Sequence, residues 1–113
     1  MIERGSIYSM AERGAYTSKP RPVIVMQNPN VRLESVIVIP LTSRDAQGEP
    51  IRIAIDPTAD NGLERRSFAM CDKIVAVRRE SLVEPAIGKL PDAVVKVIQD
   101  TVYDLIDEGV SLD

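Results

Sequence analysis

The sequence predicts a mainly β domain closed by a C-terminal helix, arranged as a small, strongly curved antiparallel sheet or barrel. Three observations carry that expectation. Short runs rich in Val and Ile occupy the N-terminal part of the chain, clusters of turn-forming residues separate them, and after IGKLPD the apolar spacing changes to steps of three and four.

The strand candidates, in order, are GSIYSM, PVIVM (22–26), SVIVIP (35–40), PIRIAI (50–55), and SFAMC with IVAV (67–77), five or six strands in all. β-Branched side chains are stiff at χ1 and fit a pleated surface better than a helix. Between them, ERGAYTSKP, NPN, TSRDAQGE and DPTADNG are turn-like in composition. In PIRIAI, Ile51, Ile53 and Ile55 alternate with Arg52 and Ala54, the pattern of a strand with one buried face. PVIVM and SVIVIP do not alternate, so they are expected centrally, with both faces covered.

From Asp92 to Asp107, the residues Val94, Val97, Ile98, Val102, Leu105 and Ile106 recur at helical spacing, with Lys96, Asp100 and Asp104 on the wet side. Pro91 and Asp92 suit the first turn of this helix, and Gly109 suits a C-terminal cap.

With 113 residues, 44% apolar and 27% charged, the chain is expected to form one folded domain over residues 1–113. The first ten residues carry charges at positions 3 and 4 and no apolar run of signal-peptide length, and no window approaches a membrane span. The expectation is a cytoplasmic protein without membrane contact. Histidine is absent and Cys71 is the single cysteine. That combination removes the commonest general base and a structural zinc site together, so any proton transfer falls to carboxylates, Lys, Tyr, Arg or water. Cys71, within FAMC, reads as a small core residue. Residues 1–79 hold 12 Lys and Arg against 9 Asp and Glu, whereas residues 80–113 hold 2 against 8. A basic body with an acidic tail helix permits an anionic ligand on one face only.

The residues able to do chemistry fall where loops meet strands. Arg21 stands between Pro20 and Pro22 at the mouth of PVIVM; Thr42, Ser43 and Arg44 directly follow SVIVIP; Asp72 and Lys73 interrupt MCDKIV. Read singly, these are a loop end with an exposed cation, turn chemistry, and a bulge or ion pair at a strand edge. Read together, they supply what cleavage of an RNA phosphodiester by its own 2′-hydroxyl requires: proton transfer at the 2′ and 5′ oxygens, and donors for the charge on the phosphorane. Arg21 offers charge and a forked set of donors, Thr42 and Ser43 offer neutral hydroxyls, and Asp72 is the carboxylate candidate for base work. Lys19, Gln27, Asn28, Ser43, Arg44 and Lys73 are candidate substrate-binding residues. No cofactor and no metal is expected. The prolines give Arg21 a stiff base, since each fixes its own φ and Pro22 pushes Arg21 toward extended geometry.

RGSIY, PRPVIVMQN, VIVIPLTSR, NGLERRSFAMCDKIVAV and IGKLPDAVVKVIQDTVYDLI, in that order, resemble the MazF/PemK toxins of type II toxin–antitoxin systems over roughly residues 3–108. The resemblance implies an SH3-like barrel of the CcdB/PemK type with a C-terminal helix. It implies a homodimer that cleaves single-stranded RNA sequence-specifically without metal, leaving a 2′,3′-cyclic phosphate and a 5′-hydroxyl, and that a cognate antitoxin neutralises. In its terms Arg21 and Thr42 are the acid/base and transition-state residues. Met70 occupies the position where PemK-type members carry an arginine, which gives Asp72 a supporting role. Lys73 replaces a frequent glutamine, and the stretch from Ala11 to Pro20 lacks the Glu-Gln-Gly-Gly segment of many members. The alternative is a non-catalytic binding module on the same barrel, either a degenerate toxin or a CcdB-like gyrase poison. The absence of tryptophan speaks against the gyrase version. The apolar surplus of SVIVIP and the terminal helix predicts a two-fold dimer bordering the site.

Overall fold

Seven antiparallel strands and one long helix make up the computed structural model, which describes residues 2–11, 21–45, 48–49 and 51–111. The elements are β1 (Ser6–Met10), β2 (Arg21–Val25), β3 (Ser35–Thr42), β4 (Arg52–Ile55), β5 (Ser67–Met70), β6 (Val75–Arg78), β7 (Leu82–Lys89) and α1 (Asp92–Ile106). The strand order is β4-β5-β3-β2-β1-β7, and β6 pairs with β3 off this path. β4 and β7 end the path without pairing to each other, so the sheet is barrel-like but not closed.

β3 organises the sheet because its two edges do different things. One edge pairs with β2 in the register Val23↔Pro40, Ile24↔Ile39, Val25↔Val38. The other pairs first with β6, from Ser35↔Arg78 to Val38↔Val75, and then with β5 at Leu41↔Ala69 and Thr42↔Phe68. A strand with partners along both edges and neighbours on both faces has little wet surface, which is why SVIVIP and PVIVM show no alternation; Val23 to Met26, Val36, Val38 and Ile39 are buried, and Ile37 is the exposed exception. One face carries Ile7, Ile24, Ile39, Leu41 and Ala69 under the helix residues Val95, Ile98 and Val102. The opposite face carries Tyr8, Val23, Val25, Val36 and Val38, packed against Leu82. Each fully buried Val or Ile contributes roughly 1.5–3 kcal/mol relative to exposure. Cys71 lies in the first of these clusters, fully buried, as expected of a small core residue.

The 67–77 run, SFAMC with IVAV, is two strands, β5 and β6, separated by a single 3-10 turn at Cys71–Lys73, which gives the larger of the two strand counts expected for this part of the chain. The structure departs from the sequence expectations at three points, each with a local cause. β7, one of the two longest strands, is absent from the expected set: Glu84, Pro85 and Gly88 interrupt the apolar pattern of LVEPAIGK, and the Glu84–Pro85 bond is cis. In α1 the buried stripe is Val95, Ile98 and Val102, whereas Val97, Leu105 and Ile106 face outward. Finally, Gly109 does not cap the helix through a left-handed turn. The helix ends where the Asp107 amide donates to the Tyr103 carbonyl oxygen, and the Asp107 carboxylate then accepts from the Gly109 amide at 2.9 Å.

A candidate active-site groove at the β2 and β3 ends

β2 begins and β3 finishes on the same rim of the sheet. Continuing their register two residues beyond Val23↔Pro40 sets Arg21 opposite Thr42. Beyond them the 62–67 segment, on its way into β5, forms a second wall, and Ile87 of β7 closes part of the floor. The enclosed groove is about 700 Å³, and its polar lining includes Arg21, Thr42, Ser43, Arg44, Glu64 and Arg65.

The groove wall is set by local hydrogen bonding. Thr42 Oγ1 accepts from the Arg44 amide at 3.2 Å, a short turn that orients the hydroxyl and carries Ser43 and Arg44 outward. The opposite wall hangs on buried Asn61. Its Oδ1 accepts from the amides of Thr58 and Leu63, each at 3.0 Å, and its Nδ2 donates to the Asp56 carbonyl oxygen at 2.9 Å. Ser67 Oγ donates to the Arg65 carbonyl oxygen at 3.0 Å, fixing the other end of the segment. Gly62 has φ +68°, and a Cβ there would stand 2.0 Å from the Ile87 carbonyl oxygen. A glycine is therefore required where this loop crosses β7. Arg66 does not line the groove: it pairs with Asp56 at 3.3 Å and lies 5.6 Å from the centre of the Phe68 ring.

Electrostatically the groove is basic. Arg21, Arg44 and Arg65 line it against one carboxylate, Glu64, among the described residues. Such a lining suits a polyanion whose phosphates accept forked hydrogen bonds, and the hydroxyls of Thr42 and Ser43 add neutral donors. Another concavity, about 680 Å³ at the opposite end of β2, is chemically poorer. Two of its three arginines are engaged in holding the fold, Arg4 donating to the Met26 carbonyl oxygen at 3.0 Å and Arg79 to that of Leu33 at 2.7 Å, and Arg32 shares the lining with the carboxylates of Glu3, Glu84 and Asp92. Lys89 pairs with Glu3 at 3.0 Å.

The structure thus brings together four of the residues singled out from the sequence, Arg21, Thr42, Ser43 and Arg44, and places the other described candidates elsewhere. Asp72 sits on the 3-10 turn beyond β5, four residues past the Phe68 that pairs with Thr42, and is held by Arg52 at 2.8 Å. Lys73 is exposed on the same turn. Gln27 is buried at the far end of β2, where its Nε2 donates to the Val31 carbonyl oxygen and its Oε1 accepts from the Ile37 amide, both at 3.1 Å. Asn28, beside it, is exposed and accepts from the Asn30 amide through Oδ1. Lys19 lies outside the described residues. Glu64 and Arg65 are the lining residues that the sequence reading left unassigned. Their signal was the charged triplet Glu64-Arg65-Arg66, one residue after the turn-forming Asn61-Gly62 pair, at the entry to a strand.

Comparison with known proteins places this arrangement. Residues 3–106 match the model of the family described as PemK-like, MazF-like toxin of type II toxin–antitoxin system. A probable endoribonuclease MazF of Mycolicibacterium smegmatis is 42% identical over 92 residues, which span 80% of this chain and 84% of that protein. Among solved structures, the Mycobacterium tuberculosis toxin MazF-mt6 superposes with a TM-score of 0.73 at 22% identity, covering 94% of this chain and 98% of its own. The MazE–MazF structure of Deinococcus radiodurans superposes with a TM-score of 0.76 at 19% identity, covering 97% and 98%. An endoribonuclease in complex with its cognate antitoxin from a mycobacterial species gives 0.74 at 20% identity, with both chains covered in full. These structural likenesses establish the fold, and the family match over most of the chain establishes descent: the protein belongs to the PemK-like, MazF-like toxins of type II toxin–antitoxin systems.

Proposed function

We propose that this protein is an endoribonuclease toxin that cleaves single-stranded RNA sequence-specifically. The 2′-hydroxyl of the substrate attacks the adjacent phosphorus, leaving a 2′,3′-cyclic phosphate and a 5′-hydroxyl, with no metal required. The observation that carries this reading is the convergence of Arg21, Thr42, Ser43, Arg44 and Arg65 on one groove. The 42% identical relative named as a probable endoribonuclease supports it over a non-catalytic binding module.

Arg21 places a fork of donors against the non-bridging oxygens, where negative charge grows as the phosphorane forms. Thr42, its oxygen oriented by the Arg44 amide, adds a neutral hydroxyl donor beside it. Arg44 and Arg65 hold the flanking backbone phosphates and so add to RNA affinity. Asp72 remains with Arg52 and is given no part in proton transfer.

A cognate antitoxin neutralises the toxin in the same reading, and a basic groove matches an acidic segment of such a partner. A two-fold homodimer belongs to it as well, supported by Ile37, Ile74, Val75, Tyr103 and Ile106, which stay exposed around the start of β3 and the outer face of α1. Both assignments fit a cytoplasmic protein, and no helix among the described residues is long and apolar enough to cross a membrane.

The decisive experiment incubates purified protein with mixed-sequence RNA in EDTA. Discrete fragments ending in cyclic phosphate are expected. RNA that stays intact would overturn the proposal.

A further inference from the structure

Attack by the 2′-hydroxyl needs a group to receive its proton, and the chain has no histidine to do so. Asp72, the carboxylate that the sequence pattern favoured, is turned to Arg52 at 2.8 Å and lies outside the groove. Among the described residues Glu64 is the one carboxylate that lines it. We infer that Glu64 is the general base of the reaction, receiving the 2′-hydroxyl proton of RNA bound against Arg21 and Thr42; the inference rests on the endoribonuclease reading above.

Three features of the placement support the assignment. Glu64 lies three residues before Ser67, the first residue of β5, and the next residue of that strand, Phe68, is paired with Thr42, so one strand connection delivers both groups to one groove. Its backbone is held on both sides: the Leu63 amide donates to Asn61 Oδ1 and the Arg65 carbonyl oxygen accepts from Ser67, both at 3.0 Å. Leu63 is itself packed into the core. A base carried on an anchored segment loses little freedom on meeting its substrate. Third, Glu64 makes no ion pair or hydrogen bond with a described residue, although Arg21, Arg44 and Arg65 line the same groove. Its oxygens are therefore open to an incoming hydroxyl.

The step balances without a co-reactant. The 2′-hydroxyl proton passes to a Glu64 carboxylate oxygen, and the electron pair left on the 2′ oxygen forms the new bond to phosphorus. The phosphorus–O5′ bond breaks with its pair on O5′, which takes a proton from water under the charge of Arg21. The hydroxide so formed removes the proton from Glu64, restoring the carboxylate.

Single-turnover cleavage by wild type and Glu64→Gln, across a range of pH, tests the assignment on two substrates: ordinary RNA, and the same RNA with a bridging sulfur in place of O5′ at the scissile linkage. Sulfur leaves without needing a proton, so it relieves a defect at the leaving group and not one at the base. Glu64→Gln should lower the rate by about 10²–10⁴-fold on both substrates and abolish the rise of rate with pH on the acid side, with RNA affinity by fluorescence anisotropy unchanged. A rate within about threefold of wild type, a defect that the sulfur substrate relieves, an acid-side rise that persists, or a loss confined to affinity would each overturn it. Wild-type protein that cleaves neither substrate would overturn the endoribonuclease reading and the assignment with it.

Discussion

Arg21 and Thr42 line the same groove, each two residues past the Val23↔Pro40 pair with which the β2–β3 ladder ends. The pairing ties two residues separated by a loop to a register that the core enforces, because slipping either strand by one residue would turn Val23, Val25, Val36 and Val38 out of their cluster. Arg21→Ala should therefore leave the fold intact, as the side chain is exposed, while lowering the cleavage rate by about 10²–10³-fold. Thr42→Ala should fall in the same direction and Thr42→Ser should recover most of the rate. Single-turnover kinetics beside an unchanged thermal midpoint would establish the split.

Arg44 and Arg65 flank this pair, and their expected role is to hold phosphates. Replacing either by Ala should weaken RNA binding and reduce the magnitude of the slope of log affinity against log salt by about 0.7, the value for one phosphate contact on a single strand. The maximal rate should change little. A slope that stays at the wild-type value in both variants would remove them from the RNA path.

Much of this frame is legible in the sequence, and the gaps have physical causes. β1 to β6 follow from short apolar runs between turn clusters, and the absence of alternation in PVIVM anticipated the burial of Val23 to Met26, whereas in SVIVIP Ile37 stays exposed. β7 was illegible because a proline and a glycine break its pattern, although its neighbour β1 accepts it through a register shift between Ile7 and Ser9. The outward turn of Val97 and Ile106 could not be read from periodicity, since a stripe of apolar residues wider than the sheet needs leaves its choice of buried edge to tertiary packing. At the groove, the shared placement of Arg21 and Thr42 was readable because each borders a recognisable strand. That Gln27 and Asp72 lie away from this groove was not legible, for one shared reason. A polar side chain beside a strand serves chemistry or architecture equally well in sequence, and only its partners tell which.

Gln27 illustrates that distinction and yields a prediction. Its amide bridges Val31 and Ile37 across the β2–β3 connection from a buried position. Gln27→Ala should cost about 1–3 kcal/mol, because the groups left behind lose their partners. The rate on saturating RNA should stay near that of wild type. Urea unfolding and single-turnover cleavage, run side by side, would separate this from a substrate-binding role, which would lower affinity and spare stability.

Gly62 makes the corresponding case for the groove wall. With φ at +68° and the Ile87 carbonyl oxygen 2.0 Å from where a Cβ would be, Gly62→Ala must move the loop or β7. The left-handed backbone alone costs about 1–2 kcal/mol for a residue with a side chain, and the clash adds to it. We expect a loss of at least about 2 kcal/mol in urea unfolding together with reduced cleavage, because the same segment carries Glu64 and Arg65. Full stability in this variant would show that the crossing with β7 is looser than the close approach implies.

Alkaline pH probes the core beside the Asp72–Arg52 pair. Burial pushes the Cys71 thiol from its ordinary 9.0 up to about 11, with Asp72 adding to the rise and Arg52 opposing it. An unfolded chain releases this proton near 9.0, whereas the folded protein keeps it until about 11, so between those values the folded state binds more protons. The stabilising contribution is then fully present below pH 9.0 and is lost as pH rises toward 11, by roughly 2–3 kcal/mol over the window. Tyr8 is also raised, chiefly by burial with help from Glu84 and Glu3, and adds its own alkaline dependence. The difference between wild type and Cys71→Ala isolates the thiol: the variant should be less stable at neutral pH, from the small cavity it creates, yet should lose less on going to pH 10.5 or so. Urea unfolding of both proteins at the two pH values measures this, and an equal alkaline loss in the two would show that Cys71 ionises in the folded state as readily as in the unfolded one.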